Sequence, residues 1–302
     1  MPNPNPKVNH RISRLVEASA AIRDEVWGDA AFSHSLLCQV NLPYRNPGDE
    51  LRVYERRSGG VALRIEAGSV FNGRTFNEVG LPFGPRARLL LLHLCSLSIK
   101  QQSRVVEVDR SFTAFCKSLG ISITGRNLRA VREQIRRMSA VSMRLALNTG
   151  RDLVVFQGMM FDGLRAEMPV NEHQEPLWSS EVQFSQAFYD SLQKHAVPLD
   201  LRAIKALRHS ARGLDIYCWL ASRLWRVKKP TKVRWTSLKW QFGQPEQHLE
   251  SFKRAFKTAL TQVKVVYPEA RVEVVRGGVL LTTSSPPIPF SDDKLLLRTL
   301  LR

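Results

Sequence analysis

Five closely spaced arginines, Arg126, Arg129, Arg132, Arg136 and Arg137, are the residues whose type and spacing most plainly suggest chemistry in this 302-residue sequence. A guanidinium is a planar fork of donors that reaches phosphate oxygens, or O6 and N7 of guanine, two at a time. At about 100° per residue, Leu128, Val131, Ile135 and Met138 share an arc of about 80°, and the five arginines occupy an opposing arc interrupted by Glu133. Like charges this dense repel one another unless an anion neutralises them. A sparser version follows later. Leu249, Phe252, Phe256, Ala259, Leu260 and Val263 form an apolar stripe, with Lys253, Arg254, Lys257 and Thr261 on the other side. Arg151 and Arg276 stand at the tips of two expected hairpins, within reach of neighbouring phosphates. These ten Lys and Arg residues are the candidate DNA contacts.

Other chemistries lack their residues. No GxxxxGK[ST] string supports phosphate binding by a P-loop. No HxH pair occurs, and no tyrosine sits in an acidic or histidine-rich context, which counts against a nicking enzyme. Asp292-Asp293 is the only adjacent pair of aspartates and reads as a solvated turn. The expectation is a protein without catalytic residues, metal site or cofactor.

The elements that must position the arginines follow from periodicity and punctuation. An amphipathic helix is expected over Ile12–Trp27, and strands over Leu51–Glu55 and Val61–Ile65 around Ser58-Gly59-Gly60. Pro82–Pro85 precede an apolar helix, Arg86–Lys100. A strand at Arg104–Val108, a helix at Ser111–Leu119 and the basic helix, about Gly125–Val141 and capped by Thr124, come next. Met143–Leu147 and Leu153–Gln157 then form a hairpin. After a less regular stretch near Phe161–Glu175, a strand at Glu181–Ser185 and a helix at Gln186–His195 lead to helices at Leu201–Leu207 and Gly213–Val227. Lys232–Trp235 is a strand, and Thr236 or Ser237 caps a helix ending at Gly243. The second basic helix, Gln247–Val263, and a hairpin from Arg271–Val275 and Val279–Thr283 complete the order. Helix, short strand, helix, turn, long basic helix and hairpin thus occur twice, which is the order of a winged helix-turn-helix.

Charge agrees with this duplication. The chain holds 45 Lys+Arg against 27 Asp+Glu, a net +18 and a pI near 10.4. Residues 82–150 carry +9 and residues 201–264 carry +12, so the remainder is slightly acidic. No apolar run approaches the ~18 residues of a membrane span, and the Pro/Asn-rich start lacks a signal-peptide core, so a cytoplasmic location is expected. Cys38, Cys95, Cys116 and Cys218 lie too far apart for a CxxC site and are expected to be reduced.

Specific strings carry a resemblance. Val197-Pro-Leu-Asp-Leu-Arg-Ala-Ile-Lys-Ala-Leu-Arg, Leu214-Asp-Ile-Tyr-Cys-Trp-Leu-Ala-Ser-Arg-Leu, Val233-Arg-Trp-Thr-Ser-Leu, Gln241-Phe-Gly, Phe252-Lys-Arg-Ala-Phe and Val266-Tyr-Pro resemble the plasmid-encoded RepA replication initiators. Gly84-Pro-Arg-Ala-Arg-Leu-Leu-Leu-Leu-His-Leu and Leu128-Arg-Ala-Val-Arg-Glu-Gln-Ile-Arg-Arg-Met fit the same family. The resemblance implies an initiator that binds repeats in double-stranded plasmid origin DNA, helps open adjacent AT-rich DNA and recruits the host replicative helicase machinery. A homodimer is left open. The expected fold is α+β with two tandem winged helix-turn-helix domains. Residues 1–30 would form a tail and helix, 31–160 the first domain with preceding strands, 161–180 a linker, 181–288 the second domain and 289–302 a C-terminal tail. A winged-helix transcriptional regulator and, more remotely, a DNA-nicking enzyme are the rival readings.

Overall fold

The computed structural model describes residues 13, 15–20, 22, 29–71, 74–107, 116–117, 120–122, 124–148, 150–166, 179–244 and 247–288. The expected helix over Ile12–Trp27 is helical at the residues described within it, and of the helix expected over Ser111–Leu119 only Cys116 and Lys117 are described, both helical. The C-terminal tail lies outside the described residues.

Strand β1, Ala30–His34, is the first complete element. β2, Val53–Ser58, and β3, Val61–Glu66, follow as a hairpin. In β3 the residues Val61, Leu63 and Ile65 are buried while Ala62, Arg64 and Glu66 are half-buried on the other face, the period of two that a one-sided sheet requires. Gly59 turns the chain at φ +57, and Gly60 is pressed against the carbonyl of Asn148, where any side chain would collide. A second hairpin, β4 (Ser69–Phe71) and β5 (Phe76–Glu78), precedes helix α1, Gly84–Gln101. α1 has Pro at its first turn, is buried at every position from Ala87 to Leu92, and packs against β1.

β6 is Val105–Glu107 and the basic helix α2 is Gly125–Ala140. Thr124 caps α2 as expected, its hydroxyl accepting from the Asn127 amide at 3.3 Å. The hairpin β7 (Ser142–Asn148) and β8 (Leu153–Met159) then extends β2–β3 into a four-stranded antiparallel sheet with order β2-β3-β7-β8.

Residues 161–166, expected to belong to a linker, form strand β9 (Phe161–Ala166), which pairs with β10 (Ser179–Phe184), and β10 pairs in turn with β6. Helix α3 is Gln186–His195, as expected, and β11 is Ala196–Asp200. β11 is buried along its whole length and pairs antiparallel with β1. Residues 179–200 are thus tied by main-chain bonds to the first half of the chain.

The remaining order is α4 (Leu201–Leu207), α5 (Ala211–Arg223), a 3-10 turn (Leu224–Arg226), β12 (Thr231–Arg234), α6 (Trp235–Phe242), α7 (Leu249–Val266), β13 (Val272–Val275) and β14 (Gly278–Leu281). α6 starts before Thr236 and Ser237, and neither caps it. Its first amide, Trp235 N, instead donates to Gly277 O in the β13–β14 turn at 3.2 Å, so the hairpin supplies an acceptor at that helix end.

The two halves share an element order but not a pairing. β12 lies beside β14 in a three-stranded sheet β12-β14-β13, whereas its counterpart β6 pairs with β10, away from the β7–β8 hairpin. The fold is mixed α+β, and one hydrophobic core runs from Leu15 to Leu281 through both halves.

Candidate nucleic-acid interface

In α2 the helical period sorts the side chains cleanly except at one edge. Val131 and Met138 are buried and Ile135 is half-buried against the core, whereas Arg126, Arg129 and Arg132 are exposed. Arg136 is half-exposed and lies 3.6 Å from Glu133. Arg137 does not join this face and is corrected as a candidate. It is 6% exposed and stacks over the Phe83 ring at 5.1 Å. Its Nε donates to Glu133 at 2.6 Å, Nη1 to Leu81 O at 3.1 Å and Asn46 at 3.3 Å, and Nη2 to Asp49 at 3.1 Å. A guanidinium with that many fixed acceptors is structural. The sequence periodicity places it at the border of the polar arc, and the acceptors that draw it inward come from residues 46–81, beyond the reach of a helical wheel.

In α7, Phe252, Phe256, Ala259, Leu260, Val263 and Val266 face inward. Arg254, Lys257, Thr258, Thr261 and Lys264 are exposed. Lys253 is half-buried, with Nζ 2.6 Å from Glu250, and its hydrogen bond and then its charge hold the Glu250 carboxyl below the usual carboxylate range. Lys257 lies over the Trp235 ring at 5.9 Å, which steadies its otherwise mobile stem. Arg151 and Arg276 are exposed at the two hairpin turns. Beside Arg276 stand Lys232 and Arg234 on β12, also exposed, and with Lys264 they enlarge the basic surface of the second half. Lys264 is not among the sequence candidates, because periodicity ends the helix at Val263, three residues before its observed end at Val266.

The halves are joined by a polar clamp. Arg88 of α1 grips Asp215 of α5 through two bonds of 2.7 and 2.8 Å, and also donates to the carbonyls of Leu42 (2.7 Å), Gly84 (2.9 Å) and Pro43 (3.2 Å). The side chains are 6% and 13% exposed, so the pair is shielded from water. Around the C-terminus of α6, Asn41 donates to Gln241 O at 2.6 Å, Gln241 to Gln39 O at 2.9 Å, and Arg56 to Gly243 O at 2.6 Å. These bonds set the position of α7's scaffold relative to that of α2.

A Ser–His contact also exists, between Ser191 and His34 at 2.9 Å. Burial lowers the His34 pKa to about 3, so the ring is neutral at pH 7. Its Nδ1 accepts from the Leu36 amide at 3.1 Å, which leaves the proton on Nε2, donating toward the serine. That polarity is opposite to what a general base needs. Among the described residues no group of His, Cys, Asp and Glu forms a metal cluster, all four cysteines are free and buried, and no helix is long and apolar enough to cross a membrane.

No curated protein matches the chain. Among solved structures it is similar to domains 2 and 3 of RctB. A selenomethionine form gives a TM-score of 0.51 at 12% identity, covering 76% of this chain and 84% of that one. A second RctB domain 2–3 structure gives 0.49 at 11%, covering 82% and 94%. At such identity the likeness concerns the fold. A family model described as plasmid-encoded RepA protein matches residues 81–241, from α1 through most of α6, with α2 inside the match and α7 beyond it. The match spans more than half of the sequence, and on that basis the chain belongs to the family of plasmid-encoded RepA proteins.

Proposed function

We propose that this protein initiates plasmid replication by binding repeated sites in double-stranded origin DNA through α2 and α7, promoting local opening and bringing in the host helicase machinery. The observation that carries the reading is the pair of long helices, each apolar toward the core and basic toward solvent, held by one shared core and the Arg88–Asp215 clamp. In the second half, α5, β12, α6, α7 and the β13–β14 hairpin have the order and sheet pairing of a winged helix-turn-helix. α7 would enter the major groove there, with Arg276 on the adjacent backbone. The first half would present Arg126, Arg129, Arg132 and Arg136 in the same role, with Arg151 at its hairpin. Helicase recruitment rests on the family alone.

A homodimer is supported by strand β8. It is the edge of its sheet, and Leu153, Val155 and Met159 on it are 69%, 51% and 45% exposed, an apolar row of the kind that a second strand covers. The test of the central reading is a footprint over the origin of the plasmid that encodes the protein. Protection is expected at repeated sites, in two successive major grooves on one face. Uniform protection at random sequence would contradict it.

A further inference from the structure

The β4–β5 hairpin carries two phenylalanines that the fold leaves in water. Phe71 and Phe76 face each other across the hairpin with ring centroids 5.1 Å apart, and are 52% and 73% exposed. Val70, next to Phe71 and so on the other face of the hairpin, is half-buried. The base of the hairpin is tied down by hydrogen bonds. Arg52 donates to the carbonyls of Ala67 (3.0 Å), Gly68 (3.1 Å) and Val79 (2.9 Å), and Gly68 is pressed on the Ala140 carbonyl at the end of α2. The nearby carboxylates are engaged, Glu78 by Arg52 at 3.7 Å and Asp49 by Arg137 at 3.1 Å. The turn itself adds the exposed Arg74. A hairpin with two outward aromatic rings and a cation, rooted on a helix that exposes arginines, has the composition of a stacking site for unpaired bases.

We infer that Phe71 and Phe76 form a platform on which bases of single-stranded DNA stack. This deepens the origin-binding reading and rests on it, since the strand would come from duplex opened beside the bound protein. An aromatic face holds any base, so the site would favour single strands over sequence. A cross-strand aromatic pair also staples a hairpin, and the choice of variants separates the two roles.

The experiment measures fluorescence anisotropy of the full chain with a labelled oligo-dT strand and, separately, with origin duplex, alongside thermal melts. Phe76→Ala is expected to weaken oligo-dT binding about tenfold and leave duplex binding unchanged. Phe76→Leu keeps the apolar pair but not the stacking face, and should be as weak as alanine, whereas Phe76→Tyr should restore binding. If Phe76→Ala fails to fold, the Leu and Tyr variants decide. Leucine binding as well as phenylalanine, or all variants binding oligo-dT equally, as a protein-docking prong would, overturns the inference. Wild type that binds duplex but not oligo-dT overturns the platform alone. Wild type that binds neither overturns the origin-binding reading with it.

Discussion

Two arginines eight residues apart on one helix, Arg129 and Arg137, illustrate how position decides what an identical side chain does. Arg129 is exposed, and Arg137 is surrounded by Glu133, Asp49, Leu81 O and Phe83. Arg137→Ala should therefore lower stability by about 1.5–3 kcal/mol, the range for charge-assisted hydrogen bonds, with DNA affinity lost only as folding is lost. Arg129→Ala should leave the melting temperature unchanged and weaken DNA binding. Melting curves paired with duplex titrations check both, and the reverse pattern would mean that the helix presents its other side. His34 belongs to the same scale. Its folded pKa of about 3 lies below the ordinary 6.5, so between those values the unfolded chain binds more protons and stability falls as pH falls. His195, also depressed by burial, acts in the same direction. His34→Gln should flatten the loss of stability between pH 6 and pH 4 in denaturant titrations, and an unchanged slope would assign it to other groups.

At the scale of elements, local signals were sufficient wherever a segment's fate depends on its own residues. Thr124 caps α2, α3 spans Gln186–His195, and Gly59-Gly60 turns β2 into β3, all as read from the sequence. What was not legible depends on distant partners. β6 has β10 as its neighbour some 75 residues later. β9, with a glycine and weak alternation, is a strand because β10 offers it a ladder. α6 starts where a turn carbonyl 42 residues ahead reaches its first amide. The candidate site divides the same way: the exposed faces of α2 and α7 were readable from period and charge, while the burial of Arg137 was not. Strand β8 supplies the prediction at this scale. Val155→Lys places a charge in the exposed row of an edge strand, a device that blocks edge-to-edge pairing. It should shift the proposed homodimer toward monomer in analytical ultracentrifugation, and a dimer left unaltered would remove β8 from the interface.

For the whole molecule, the spacing of the two basic helices depends on a joint built from buried polar groups. Asp215→Ala would leave Arg88 buried without its carboxylate, and should cost about 3–5 kcal/mol, as breaking one side of a buried pair generally does. Denaturant unfolding would show it as a lowered midpoint. A loss under about 0.5 kcal/mol, the scale of ordinary surface substitutions, would mean that water reaches the joint. The central claim, that exposed arginines of α2 and the basic face of α7 bind duplex DNA by displacing counterions, has a direct measurement: the dependence of origin-duplex affinity on salt. For about 6–10 phosphate contacts the affinity should fall roughly 10³–10⁵-fold between 50 and 200 mM salt. In the Arg129→Ala/Arg132→Ala double variant, the slope of log K against log salt should be shallower by about 2, one for each lost contact. A nearly flat wild-type plot, or a double variant whose slope coincides with wild type, would contradict the claim.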